Sequence, residues 1–196
     1  MRGQAHTLEA VVAGLLLLSS IIFALQATAV TPLSASTSSQ HIENQQRSVT
    51  NGILSAAAEE GALKSTVLYW NDSTVSPGFH NTSNLGYYTN GPPNTTFGRM
   101  LARAFDDRSI SYNVRIVFRE SGGELRRRPL VDQGVPSDNA VVSGRTVTIT
   151  DDDPLYSADE EPIPGSNVSN ASAFYMRDRG ANTYQTVRVE VITWRI

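Results

Sequence analysis

Hydrophobic and polar positions divide the chain into three textures. Ala10 to Leu25 form a long apolar run without a charge, and Ala27 to Val30 continue it weakly after Gln26. Roughly 21 residues at about 1.5 Å rise cover roughly 30 Å, the thickness of a bilayer core. Thr31-Pro32 follows. Proline inside a helix removes a backbone hydrogen bond, so a bend or break is expected there. From about Leu33 to Gly61 the chain is polar but patterned. Ile42, Val49, Ile53, Ala56, Ala57 and Leu63 fall within about 60° of one direction at about 100° per residue, with Leu54 off the stripe. This predicts an amphipathic helix stopped at Gly61 and weakened by about 1 kcal/mol at Gly52.

Beyond Ser65 the period changes. Ser65 to Trp70 reads as a short strand, and Ser76 to Asn94 as a long loop punctuated by Pro77-Gly78 and Gly91-Pro92-Pro93. Thr96 to Phe105 has helical spacing. Ile110, Tyr112, Val114, Ile116 and Phe118 alternate strictly, and Ser121-Gly122-Gly123 turns this strand back into Glu124 to Val131. Pro136-Ser137-Asp138-Asn139 reads as a turn, because proline presets φ and the Asp and Asn side chains bond their own backbone. Ala140 to Thr150 and Tyr184 to Arg195 are two further strands, the last with Val187, Val189 and Val191 on one face and Arg188, Glu190, Ile192 and Trp194 on the other. The predicted fold is α+β: a long N-terminal helix packed on a mainly antiparallel sheet. The expected organisation is a leader at 1–3, a transmembrane helix at 4–31, an amphipathic stalk helix at 32–63 and a head at 64–196.

Composition narrows the function classes. The chain has 196 residues and no cysteine, which excludes disulfide frameworks and thiolate metal sites. A net charge of −3 without a dense basic patch argues against a nucleic-acid partner. The longest basic run, Arg126-Arg127-Arg128, reads as the polar end of a hairpin strand. Lys64 is the single lysine among 16 basic residues.

Candidate chemistry in the head is sparse. Asn-x-Ser/Thr sequons stand at Asn71, Asn81, Asn94, Asn167 and Asn170, and in predicted loops of an exported domain these are glycosylation candidates. Asp151-Asp152-Asp153, with Asp159-Glu160-Glu161 nearby, offers oxygen ligands for a hard cation but reads better as a solvated acidic loop. His6, His41 and His80 are too scattered in sequence to form one cluster in the head. There is no Gly-x-Ser-x-Gly elbow, no P-loop and no dinucleotide fingerprint. No enzyme activity, cofactor or metal is expected. Phe79, Tyr87 and Tyr88 make the long loop a candidate contact surface, or a packed lid.

The N-terminus carries the sharpest signal, and three readings stand. A cut after Ala27-Thr28-Ala29 would release a soluble secreted domain beginning at Val30. An uncleaved helix would be a signal anchor. In the third reading, Arg2-Gly3 followed by Gln4-Ala5-His6-Thr7-Leu8-Glu9 and the apolar helix resembles type IV prepilins. The resemblance implies a cut by a prepilin peptidase between Gly3 and Gln4, and pairing of Glu9 with the N-terminal amine of a neighbouring pilin-like subunit. Glu9 would then be the sixth mature residue, where bacterial pilins have the glutamate fifth. Val135 to Val141 and Thr146 to Asp153 are similar to haloarchaeal pilin-like proteins, which implies an archaeal membrane protein with no activity to carry over. Arg2 before the helix sets the N-terminus in the cytoplasm and the head outside by the positive-inside rule. The expected function is a membrane-anchored surface protein, a minor subunit of a pilus-like assembly. The alternative is a monomeric, membrane-tethered binding module.

Overall fold

A computed structural model describes residues 2–177 and 183–195, with backbone alone for 2–5 and 27–39. The chain forms two compact units, Met1–Ile42 and Glu43–Ile196. Helix α1 runs from Arg2 to Glu59 and α2 from Ala62 to Val67. A two-stranded ribbon (β1, Trp70–Asn71; β2, Gly78–Phe79) and helix α3 (Thr96–Phe105) precede the long strands β3 (Ile110–Arg119), β4 (Leu125–Asp132) and β5 (Val141–Ile149). A small hairpin (β6, Pro154–Tyr156; β7, Pro162–Asn167) and the last strand β8 (Gln185–Arg195) complete the unit. The main sheet is antiparallel in the order β4-β3-β8-β5. The fold is α+β, as the sequence predicts.

The sheet follows from alternation. Tyr112, Val114 and Ile116 of β3 and Val187, Val189 and Val191 of β8 point into one core, because side chains two apart share a face. Phe97, Leu101 and Phe105 of α3, together with Leu63 and Val67 of α2, meet them from the helical side. On the opposite face Asn113, also buried, donates to Gly134 O at 2.9 Å and accepts from Gln133 N at 2.8 Å. These bonds hold the connection from edge strand β4 across to the other edge, β5. The turn in that connection is closed by Ala140 N on Ser137 O at 3.0 Å, one residue later than the sequence suggests.

Three expectations are corrected. First, of the bend or break expected at Thr31-Pro32, the break is absent: α1 is helical through both. A proline forfeits one bond of the ladder and leaves those on either side in place. Second, the buried stripe of α1 is Gln46, Thr50, Leu54 and Ala57, and Ala56 is exposed. Counting apolar residues misses it because two members are polar. Thr50 satisfies its hydroxyl within the helix, on Gln46 O at 2.8 Å, so it is buried without an unpaired donor. Third, Ser65 to Val67 is helix rather than strand. Gly61, at φ 74°, takes the left-handed conformation that stops α1. Its carbonyl then accepts from Lys64 N and Ser65 N, and a new turn begins. Val67, Leu68, Tyr69 and Trp70 are all buried, and a continuous apolar run carries no period to tell helix from strand.

Carboxylates tie this unit together. Glu160 accepts from Thr96 N at 2.7 Å, Thr96 Oγ1 at 2.9 Å and Ser65 Oγ at 2.9 Å. Thr95, the N-cap of α3, accepts from Gly98 N at 3.1 Å. The α3 N-terminus is therefore capped twice, once by a negative charge that complements its dipole. Gly98 is required here, since a Cβ would lie 2.0 Å from Pro93 O. Replacing Glu160 by alanine is expected to destabilise the protein by about 2–3 kcal/mol, because charged hydrogen bonds are lost and Thr96 N is left unpaired. Asp152→Asn, on an exposed position, is expected to change stability by less than about 0.5 kcal/mol. Urea unfolding of the detergent-solubilised chain measures both.

Candidate functional site

Residues His6–Gln26 form the one helical stretch, among the described residues, long and apolar enough to cross a membrane. None of it is buried within the protein. Leu8, Leu15, Leu16, Leu17, Ile21 and Phe23 all stand open, Phe23 at 74% exposure. So large an uncovered apolar surface needs a non-aqueous partner, and such a helix is a membrane anchor or a signal sequence. At its N-terminal end His6 Nδ1 lies 3.7 Å from Glu9 Oε2, both side chains exposed. Beyond the backbone, Gly3 and Gln4 lie outside the described residues, as do the residues around Ala29.

The sequons differ in availability. Asn94, just before the cap of α3, and Asn81, in a left-handed turn at φ 57°, are exposed. Asn71 donates to Ser76 O at 3.3 Å and accepts from Ser73 N at 3.1 Å. Asn167 and Asn170 each accept the other's backbone N–H at 2.9 Å, and Asn170 Nδ2 donates to Gly165 O at 2.9 Å. The last pair builds a turn.

The acidic segments are partly solvated, with Asp152, Asp159 and Glu161 exposed, and partly structural. Asp153 binds Lys64 Nζ at 2.9 Å and accepts from Thr150 N at 2.7 Å, so the single lysine joins α2 to the acidic loop. With Glu160 capping α3, two of the six acidic residues are engaged. Among the described residues no three acidic or histidine side chains converge as a metal site would require. His80 contacts Tyr156 O through Nε2 at 2.9 Å and packs edge-on against Tyr69. The long loop is largely a packed lid. Phe79 is in the core, and Tyr88 donates its hydroxyl to His80 O while its backbone covers β4 at Leu130 and Asp132. Tyr87 and Tyr88 are both half-buried, and Tyr87 stands on a cavity wall.

That cavity, about 510 Å³, is bounded by Tyr87, Phe118, Glu120, Arg126, Arg128 and Tyr175 among others. The Arg128 guanidinium lies 4.7 Å from the Trp70 ring centre, 5.1 Å from Tyr175 and 5.7 Å from Phe79. Each partner is fixed: Trp70 Nε1 donates to Ala173 O at 3.0 Å, and Tyr175 donates its hydroxyl to Val67 O at 2.9 Å. Asp72 accepts from Ser172 N and Ala173 N at 2.7 and 2.6 Å, which anchors the segment carrying Tyr175. Burial lowers the Arg128 pKa from its ordinary value. The reason Arg128 faces this way is a bulge. Val114 pairs with Val131 but Arg115 with Pro129, so Leu130 is an extra residue. A bulge reverses the alternation beyond it, sending Arg126 and Arg128 to the core side and Arg127 to the other. The sequence treats the three arginines alike; Pro129, a residue confined to edge strands and bulges, is the available clue.

Where an Asn-x-Ser/Thr-specific transferase acts on this chain, glycan is expected at Asn94 and Asn81 in preference to Asn170, whose amide is engaged. Glycopeptide mass spectrometry reads the occupancy of each site.

No curated protein and no solved structure matches the chain. The model of one family, the Family of unknown function (DUF7288), matches residues 2–193, and the chain belongs to that family.

Proposed function

We propose that this protein is a membrane-anchored, outward-facing structural subunit of a type IV pilin-like assembly, and not an enzyme. The observation that carries this reading is the division of labour along α1. Its His6–Gln26 stretch is apolar and wholly uncovered, while its Gln46–Ala57 stretch supplies buried residues to the β-rich unit. One helix thus serves the bilayer or neighbouring apolar helices at one end and the head's core at the other. A carboxylate at the bilayer edge is costly unless paired. Glu9 has only His6 beside it among the described residues, and a histidine pairs only when protonated. The amine of a neighbouring subunit, freed by a cut between Gly3 and Gln4, is the stronger partner. Arg2 ahead of the helix supports a cytoplasmic N-terminus and an external head. The structural engagement of His80, Asp153 and Glu160 supports a scaffold role. The alternative, a monomeric tethered binding module, draws on the cavity at Arg128.

Mass spectrometry of the mature N-terminus, on membrane and medium fractions separately, is expected to find a start at Gln4 in the membrane. Glu9→Gln is expected to remove the protein from sheared surface filaments while leaving it in the membrane. A start at Val30 in the medium would sink the assembly reading. An intact N-terminus in the membrane would leave the tethered module.

A further inference from the structure

Among the described residues, the guanidinium of Arg128 is stacked but not hydrogen-bonded. Trp70, Tyr175 and Phe79 hold its carbon centre, and no acceptor within the protein meets its N–H groups among the described residues. A guanidinium carries five donors in a planar fork. Aromatic faces compensate the charge but accept little from those donors. A half-buried charge in that condition keeps its donors for water or a ligand, and here it borders an open cavity.

We propose that this cavity is a binding site for a small carboxylate, which Arg128 grips from its aromatic platform. The charge count in the cavity selects the ligand class. Arg126 is already met by Glu120, Nε to Oε1 at 3.3 Å. Arg127 also borders the cavity but lies on the opposite face of β4 by strand alternation. The remaining charge is the single positive one of Arg128. A monoanion neutralises it, whereas a phosphate dianion would bring excess negative charge beside Glu120. The planar fork matches a carboxylate edge-on. Tyr87 and Phe118 supply flat walls for the body of the ligand, which suits a carboxylate carried on a sugar ring as well as a bare one. The proposal is independent of membrane anchoring, since every residue in it belongs to the head.

Trp70 makes the site self-reporting, because the cation that would bind the ligand sits on its indole. In the Trp194→Phe variant of the full chain, emission comes from Trp70 alone. Titration with acetate and with glucuronate is expected to change that emission saturably, the second more tightly if a sugar acid is the ligand. Arg128→Gln is expected to weaken the response by roughly thirtyfold or more in a variant that still unfolds cooperatively, since the half-buried charge partner is gone. Arg128→Lys, which keeps charge but loses the fork, is expected to fall between. Phosphate or chloride acting as strongly as the carboxylates would overturn the assignment, as would an equal response in Arg128→Gln. Should Arg128→Gln fail to fold, arginine-labelled NMR of the unmutated chain decides: one Nε–Hε resonance must move with acetate, and none moving contradicts the proposal.

Discussion

Everything in the head rests on a helix that is only partly its own. Gln46, Thr50, Leu54 and Ala57 lie on successive turns of one face of α1 and are buried in the β-rich unit. The core side of the sheet is apolar along β3 and β8 and must be covered. Helices α2 and α3 have only six and ten residues, little cover for a four-stranded sheet. The C-terminal turns of α1 enlarge it, and Arg145 of edge strand β5 reaches Ser55 at 3.5 Å. A helix so used cannot be discarded without opening the core. The same helix carries the uncovered apolar stretch His6–Gln26, so that stretch and the fold of the head are joined through one backbone.

Charge does specific positional work around this helix. Lys64 and Asp153 fasten α2 to the loop before β6. Glu160, held at φ 61°, reaches both α2 through Ser65 and the start of α3 through Thr96. An exposed ion pair contributes little, but these carboxylates are mostly sheltered and accept several backbone and hydroxyl donors. They fix where two short helices begin. Arg128 differs in kind: its neighbours are rings, and among the described residues no acceptor meets its donors. The contrast between anions fully used by the fold and a cation incompletely used by it separates scaffold from binding potential in this head.

Much of the architecture was legible because periodicity is a direct image of burial. Thr96–Phe105 has the bounds its spacing predicts, and strands β3, β5 and β8 follow their alternating or β-branched runs to within a residue or two. Gly61 stops α1 for the expected conformational reason. The failures share a cause. Where polar residues are buried and satisfied locally, as Thr50 is, hydropathy misplaces the stripe. Where burial is continuous, as from Val67 to Trp70, no period exists to read. The acidic runs looked like solvent-facing loops because the partners of Asp153 and Glu160 lie 89 and 64 residues away in sequence, at Lys64 and Thr96. The orientation of Arg128 depends on one extra residue at Leu130, for which the neighbouring Pro129 is the sequence clue.

The joined role of α1 is most directly tested by cutting the chain within it. Residues 43–196 retain the buried turns of α1, and residues 61–196 lack them. The longer piece is expected to fold alone, with a cooperative thermal transition and a fixed near-ultraviolet signal from Trp70 and its aromatic neighbours. The shorter one is expected to lose both. Equal, cooperative unfolding of the two pieces would contradict the account, because the head would then not need the helix that carries the apolar stretch.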